Sequence, residues 1–125
     1  MTHGELRVLF LKYHQNTWPD RRCFDNRTGW AKFKFKGVTQ FVPYGIPAPK
    51  RGRLKKAGGG GPDLMSKGNE DGYFTCWYFE LKTKKDTLKP NQKRFAEWAL
   101  SAGAKYLIVK EDDSERGFKI NPVGK

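Results

Sequence analysis

Asp63 is followed, after a gap of sixteen residues, by Glu80-Leu81-Lys82. Two carboxylates and an ammonium form a set that can act on a phosphate ester. Carboxylate oxygens are hard ligands suited to magnesium, which keeps several waters and accepts a substrate phosphate oxygen as a further ligand. A lysine beside them can orient or deprotonate a water, or stabilise charge gathering on the phosphate.

The elements that must position this set are legible around it. Tyr73 to Lys82 is aromatic-rich, bounded by Gly72 and by Lys84-Lys85-Asp86, and reads as a strand. With a period of two, Glu80 and Lys82 share one face while Leu81 anchors the other. Pro62 lacks an N–H, so Asp63 is expected at the start of a second strand, antiparallel to the first, with a polar turn from Lys67 to Gly72. Two registers are open. If Ser66 pairs with Tyr73, Asp63 faces Cys76 and lies far from Glu80. Direct pairing of Asp63 with Glu80 needs Ser66 opposite Trp77 and a wide loop between, unless a bulge or strong twist closes the gap.

Upstream, Thr2 to His14 reads as a helix with Leu6, Leu9, Phe10 and Tyr13 along one face, and Thr2 with Glu5 fits a capping box. Trp18-Pro19-Asp20 breaks it, and Arg21 to Gly29 reads as a turn-rich basic connection. Trp30 to Lys36 alternates Lys32, Lys34 and Lys36 with Ala31, Phe33 and Phe35, the pattern of a half-buried strand. Residues 43–61 hold Pro43, Pro47 and Pro49, the basic residues Lys50, Arg51, Arg53, Lys55 and Lys56, and four consecutive glycines from Gly58. No core can form from that composition, so a flexible basic loop leading into Asp63 is expected, either a substrate-tracking segment or a plain insertion. Downstream, Lys84 and Lys85 form a basic turn. Pro90 opens a helix with Phe95, Trp98, Ala99 and Ala102 on one stripe and Gln92 along its edge, ending at Gly103. Lys105 to Lys110 reads as a buried strand, Glu111 to Glu115 as a solvated acidic turn, and Phe118 with Ile120 as a short edge strand.

Asp, the gap and Glu-x-Lys, then Thr83, a basic turn, Leu88-Lys89-Pro90, the Gln92 helix and the Tyr106–Val109 strand resemble, in that order, the VRR-NUC (virus-type replication-repair nuclease) family of the PD-(D/E)xK superfamily. Cys23-Phe24-Asp25-Asn26-Arg27-Thr28-Gly29 is similar to that family's upstream Arg/Asn/Gly turn, and the resemblance spans Glu5 to Asp113. It implies an α/β restriction-endonuclease-like core ordered helix, three strands, helix, strand, with a mixed sheet flanked by helices. It further implies magnesium, with manganese able to serve, on Asp63, Glu80 and the main-chain carbonyl of Leu81. Lys82 and Gln92 would handle the water, and Glu5 would be a third acidic contributor from the first helix, a role that competes with its capping box. The implied activity is structure-selective cleavage of branched DNA, including four-way junctions, by a homodimer; Trp18 or Trp30 could supply its contact surface, or either could be core.

Composition sets the limits. A chain of 125 residues with 37% apolar content makes one domain with a modest core. A net charge of +12 favours a polyanionic partner, nucleic acid before a lipid surface, and the candidate contacts are Lys32, Lys34, Lys84, Lys85 and the basic residues of the 43–61 loop. With no membrane-length apolar run and no signal-peptide pattern, a cytoplasmic location without membrane contact is expected. Isolated Cys23 and Cys76 read as reduced thiols, and isolated His3 and His14 give no zinc pattern and no organic cofactor site. The rival reading is a DNA- or RNA-binding module without catalysis, in which Glu80 and Lys82 form an ordinary surface ion pair; a less selective flap or single-strand nuclease is the third.

Overall fold

A computed structural model describes residues 1–27, 29–44 and 61–124. The first helix, α1 (His3–Thr17), begins where expected because the Thr2 hydroxyl accepts the Glu5 N–H and the Glu5 carboxylate accepts the Thr2 N–H, completing the capping box. It runs three residues past His14 and buries Leu6, Phe10 and His14.

Among the described residues seven strands follow: β1 (Arg21–Asp25), β2 (Gly29–Phe35), β3 (Val38–Tyr44), β4 (Leu64–Glu70), β5 (Tyr73–Lys82), β6 (Lys105–Glu111) and β7 (Phe118–Pro122), with α2 (Pro90–Ser101) between β5 and β6. Five form one sheet in the order β1-β4-β5-β6-β7, antiparallel except for the β5–β6 pair, whose parallel pairing requires the α2 crossover. The coarse expectation of a mixed sheet flanked by helices holds, and the strand inventory differs from it in three places. Arg21 to Asp25, read as a connection, is an edge strand. The alternating Lys32–Phe35 strand lies outside the main sheet, in a two-stranded ribbon with β3. Pro43 and Tyr44, expected in the loop, belong to β3; residues 45–60, including Lys50, Arg51, Arg53, Lys55 and Lys56, lie outside the described residues.

Alternation along β5 separates two cores. Trp77, Phe79 and Leu81 pack with Leu6 and Phe10 of α1, while Tyr78 packs with Phe95, Ala96 and Ala99 of α2 and with Tyr106. The hidden anchor of β1 is Arg21. Its guanidinium lies 3.6 Å from the centre of the Trp77 ring and donates to the carbonyls of Ser66, Gly68 and Thr75. A buried cation satisfied in this way explains why a charged pentapeptide joins a sheet. Trp18 is partly buried and stacks edgewise on Tyr13 and Trp77, so it packs within the fold. The side chain of Trp30 lies outside the described residues. Cys23 and Cys76 are free, and burial pushes the Cys23 thiol up to about 12. Among the described residues, no helix is long and apolar enough to cross a membrane.

Candidate active site

The β4–β5 register decides whether the two carboxylates meet. Ser66 pairs with Trp77 and Leu64 with Phe79, which places Asp63, one residue before β4, beside Glu80. No wide loop is needed. The ladder continues to Glu70 opposite Tyr73 and closes on Asp71-Gly72, whose φ angles of 52° and 87° suit the tight turn that an Asp-Gly pair favours. The polar segment from Lys67 is therefore mostly strand.

Asp63 is fixed by its main chain and its side chain. Its N–H donates to the Phe79 carbonyl at 3.1 Å, and its own carbonyl accepts the Asn26 N–H at 2.9 Å. The Asn26 amide also donates to the Pro62 carbonyl at 2.9 Å, clamping the bend from the far side. Pro62 and the bend interrupt the regular ladder, and the Asp63 carboxylate fills the gap by accepting the Leu81 N–H at 2.7 Å. In a strand the N–H and C=O of one residue leave on the same side, so the Leu81 carbonyl also faces the Asp63 edge.

On the α2 side, Glu80 and Lys82 are 2% and 5% exposed, so they do not form a surface ion pair. Gln92 bridges them: its Nε2 donates to Glu80 Oε1 at 2.9 Å, and its Oε1 accepts from Lys82 Nζ at 2.8 Å. The same Oε1 accepts the Lys89 N–H at 2.9 Å, tying the bridge to the start of α2. Tyr106, opposite Tyr78 on β6, donates its hydroxyl to Glu80 Oε2 at 3.2 Å. Lys82 Nζ lies 3.7 Å from Glu80 Oε1. Burial, then the charge of Asp63 and a hydrogen bond with its carboxyl, push Glu80 up to about 8, against the pull of Lys82 and Tyr106. The two carboxyl groups crowd one site, and below about pH 8 they share a proton instead of both being ionised.

Matches to this chain are absent among family models, curated proteins and solved structures alike.

Asp63, Glu80, Leu81, Lys82 and Gln92 thus converge. Glu5 does not join them: it is exposed and held by its cap, which lowers its pKa through the bonds with Thr2. The α1 residue that reaches the site is His3, whose Nε2 lies 3.5 Å from Asp63 Oδ2. Sequence reasoning missed it, along with Tyr106 and Asn26, because each acts across the sheet with no local signature. Lys85, Lys32 and Lys34 are exposed, while Lys84 pairs with Asp113 in an exposed contact. Among the described residues, no group of three or more His, Cys, Asp or Glu side chains is placed to hold a metal; the carboxylates that converge here are two, Asp63 and Glu80. Asp112 caps the following turn through Ser114 instead of facing this site.

Proposed function

We propose that the protein is a magnesium-dependent endonuclease that hydrolyses phosphodiester bonds in branched DNA, built on a restriction-endonuclease-like core. The observation that carries this reading is the register that sets Asp63 beside Glu80 while Gln92 ties Glu80 to Lys82. The residues fit a divalent cation: the donors are all oxygen, and burial together with the neighbouring Asp63 charge raises Glu80, which a cation between the two would offset. Asp63, Glu80 and the Leu81 carbonyl would hold it. When bound, magnesium or manganese supplies charge neutralisation at the scissile phosphate and lowers the pKa of water.

The chain's own groups then have separable tasks. Gln92 fixes the Lys82 ammonium, which orients the attacking water and stabilises charge on the phosphate oxygens. Tyr106 stays a hydrogen-bond donor, since burial and Glu80 raise its pKa, and so holds the second Glu80 oxygen in place. The water oxygen bonds to phosphorus and gives up a proton to solvent, the bond from phosphorus to one ester oxygen breaks, and that oxygen takes a proton from solvent to leave as the alcohol. A four-way junction needs two such cuts, which one chain with one site delivers as a homodimer.

Burial argues against the binding-module alternative. An exposed Lys–Glu pair costs little and contributes about 0–1 kcal/mol, whereas burying the Lys82 ammonium and the Glu80 carboxyl group carries a desolvation penalty that a surface pair does not. The test is cleavage of a four-way junction, a flap and a linear duplex, with and without magnesium, beside Lys82→Ala. Paired symmetric incisions that need the metal and disappear in Lys82→Ala support the proposal. Equal cutting of all substrates makes it a less selective nuclease, and intact DNA with retained binding replaces it with the binding module.

A further inference from the structure

We propose that the β2–β3 ribbon is an arm that enters the major groove of B-form duplex DNA beside the scissile phosphate. The inference rests on the nuclease reading for its position relative to the cut, and on the ribbon's own chemistry for its partner.

The ribbon leaves the body at the site. Asn26, whose main chain and side chain bond to Asp63 and Pro62, stands three residues before Gly29, where β2 begins. From there Gly29 pairs with Tyr44 and the ladder runs to Phe35 opposite Val38, closing on Lys36-Gly37, both at positive φ. Seven residues per strand give a reach of roughly 20 Å, and two strands about 5 Å apart, with their side chains, fit a groove about 12 Å wide. A-form RNA offers no such groove, because its major groove is deep and narrow.

The surface matches a polyanion. Lys32 and Lys34 share one face, Lys36 sits in the turn, and no acidic residue occurs from 29 to 44. Residues 34–40 are all exposed, and the last pair before the turn, Phe35 and Val38, is 60% and 57% exposed. Same-face lysines repel one another, and a lone two-stranded hairpin is marginal in water. A phosphate backbone relieves the repulsion.

The experiment uses the full chain in EDTA with fluorescent DNA duplex, RNA duplex and single-stranded DNA, over a salt series. Compared are wild type, the triple variant Lys32→Gln/Lys34→Gln/Lys36→Gln, and the charge-retaining triple Lys→Arg at the same positions. The expected result is that the Gln triple lowers the slope of log K against log salt on duplex DNA by about 2–3, at roughly 0.9 per phosphate contact, and loses the preference for DNA over RNA duplex. The Arg triple restores both. An unchanged slope, an equal loss on RNA and DNA, or an Arg triple that behaves like the Gln triple overturns the arm. Cleavage with magnesium, run in parallel, separates the two readings. A wild type that cuts nothing while the Gln triple still loses duplex affinity sinks the nuclease and keeps the arm; a wild type that cuts while the slope stays fixed does the reverse.

Discussion

Lys82 Nζ donates to Gln92 Oε1 across 2.8 Å, linking the last residue of β5 to the first turn of α2. The other end of the same amide holds Glu80, so one side chain sets the separation of a cation and a carboxylate. Gln92→Ala removes that spacer and leaves the Lys82 ammonium free to move by an ångström or more. Misplacement on that scale costs about 10²-fold in rate. Single-turnover cleavage should fall by that order while DNA affinity, measured by fluorescence anisotropy, stays near wild type.

Above about pH 8, where Glu80 ionises, Asp63 and Glu80 repel each other, and that repulsion gives a prediction in the opposite sense from most site mutations. Asp63→Asn keeps an acceptor for the Leu81 N–H and removes one negative charge beside Glu80. In EDTA above that pH its thermal midpoint should equal or exceed that of wild type, although cleavage should be abolished. Added magnesium should reverse the order. Ligand at 100 times its Kd stabilises wild type by about 2.7 kcal/mol, and the variant, lacking a charged ligand, should barely respond. Thermal unfolding with and without metal reads both effects. A variant less stable than wild type in EDTA would show that the Asp63 charge is not a source of strain.

The elements that set this pair were legible to different degrees. β5, α2, β6 and β7 stood out because period and boundary residues agree along Tyr73–Lys82, Pro90–Ser101, Lys105–Glu111 and Phe118–Pro122. β1 was hidden: Arg21 looks like a surface residue until Trp77 and three strand carbonyls surround it, and no local pattern encodes acceptors forty-five or more residues away. The carboxylate register was recoverable in principle, since Asp71-Gly72 is a strong two-residue turn signal that fixes Ser66 opposite Trp77. Spreading the turn back to Lys67 obscured it. His3 could not be read at all, because its approach to Asp63 depends on how α1 lies on the sheet.

His3 and Glu5 sit two residues apart on α1 and should behave differently. His3 Nε2 is 3.5 Å from Asp63 Oδ2, an outer partner of a proposed metal ligand, and loss of such partners costs about 10–100-fold in metal affinity or activity. His3→Ala should therefore raise the magnesium concentration needed for half-maximal cleavage by about tenfold or more. Glu5→Gln keeps a capping acceptor and touches no site residue, so its magnesium dependence should match wild type. Titrating magnesium in the cleavage assay compares them directly. Equal effects from both variants would mean that α1 acts on the site through helix stability alone.

His14 makes the fold sensitive to acid. Its ring is buried on α1, with Nε2 2.7 Å from the Ser66 hydroxyl that also accepts from Arg21 Nε at 3.0 Å. Burial, then the charge of Arg21, lower its pKa from 6.5 to about 4. The unfolded chain binds a proton near 6.5 and the folded chain only near 4, so above 6.5 the group contributes no pH dependence. As pH falls from 6.5 to 4 the unfolded state is progressively favoured, and below 4 the effect saturates. A shift of that size corresponds to about 3 kcal/mol. Urea unfolding at steps across this window should show wild type losing stability relative to His14→Gln, which cannot titrate and still offers Ser66 an acceptor. Carboxylates that titrate at the lower end act on both proteins, so the difference isolates His14. Parallel curves for the two proteins would mean that His14 titrates alike folded and unfolded.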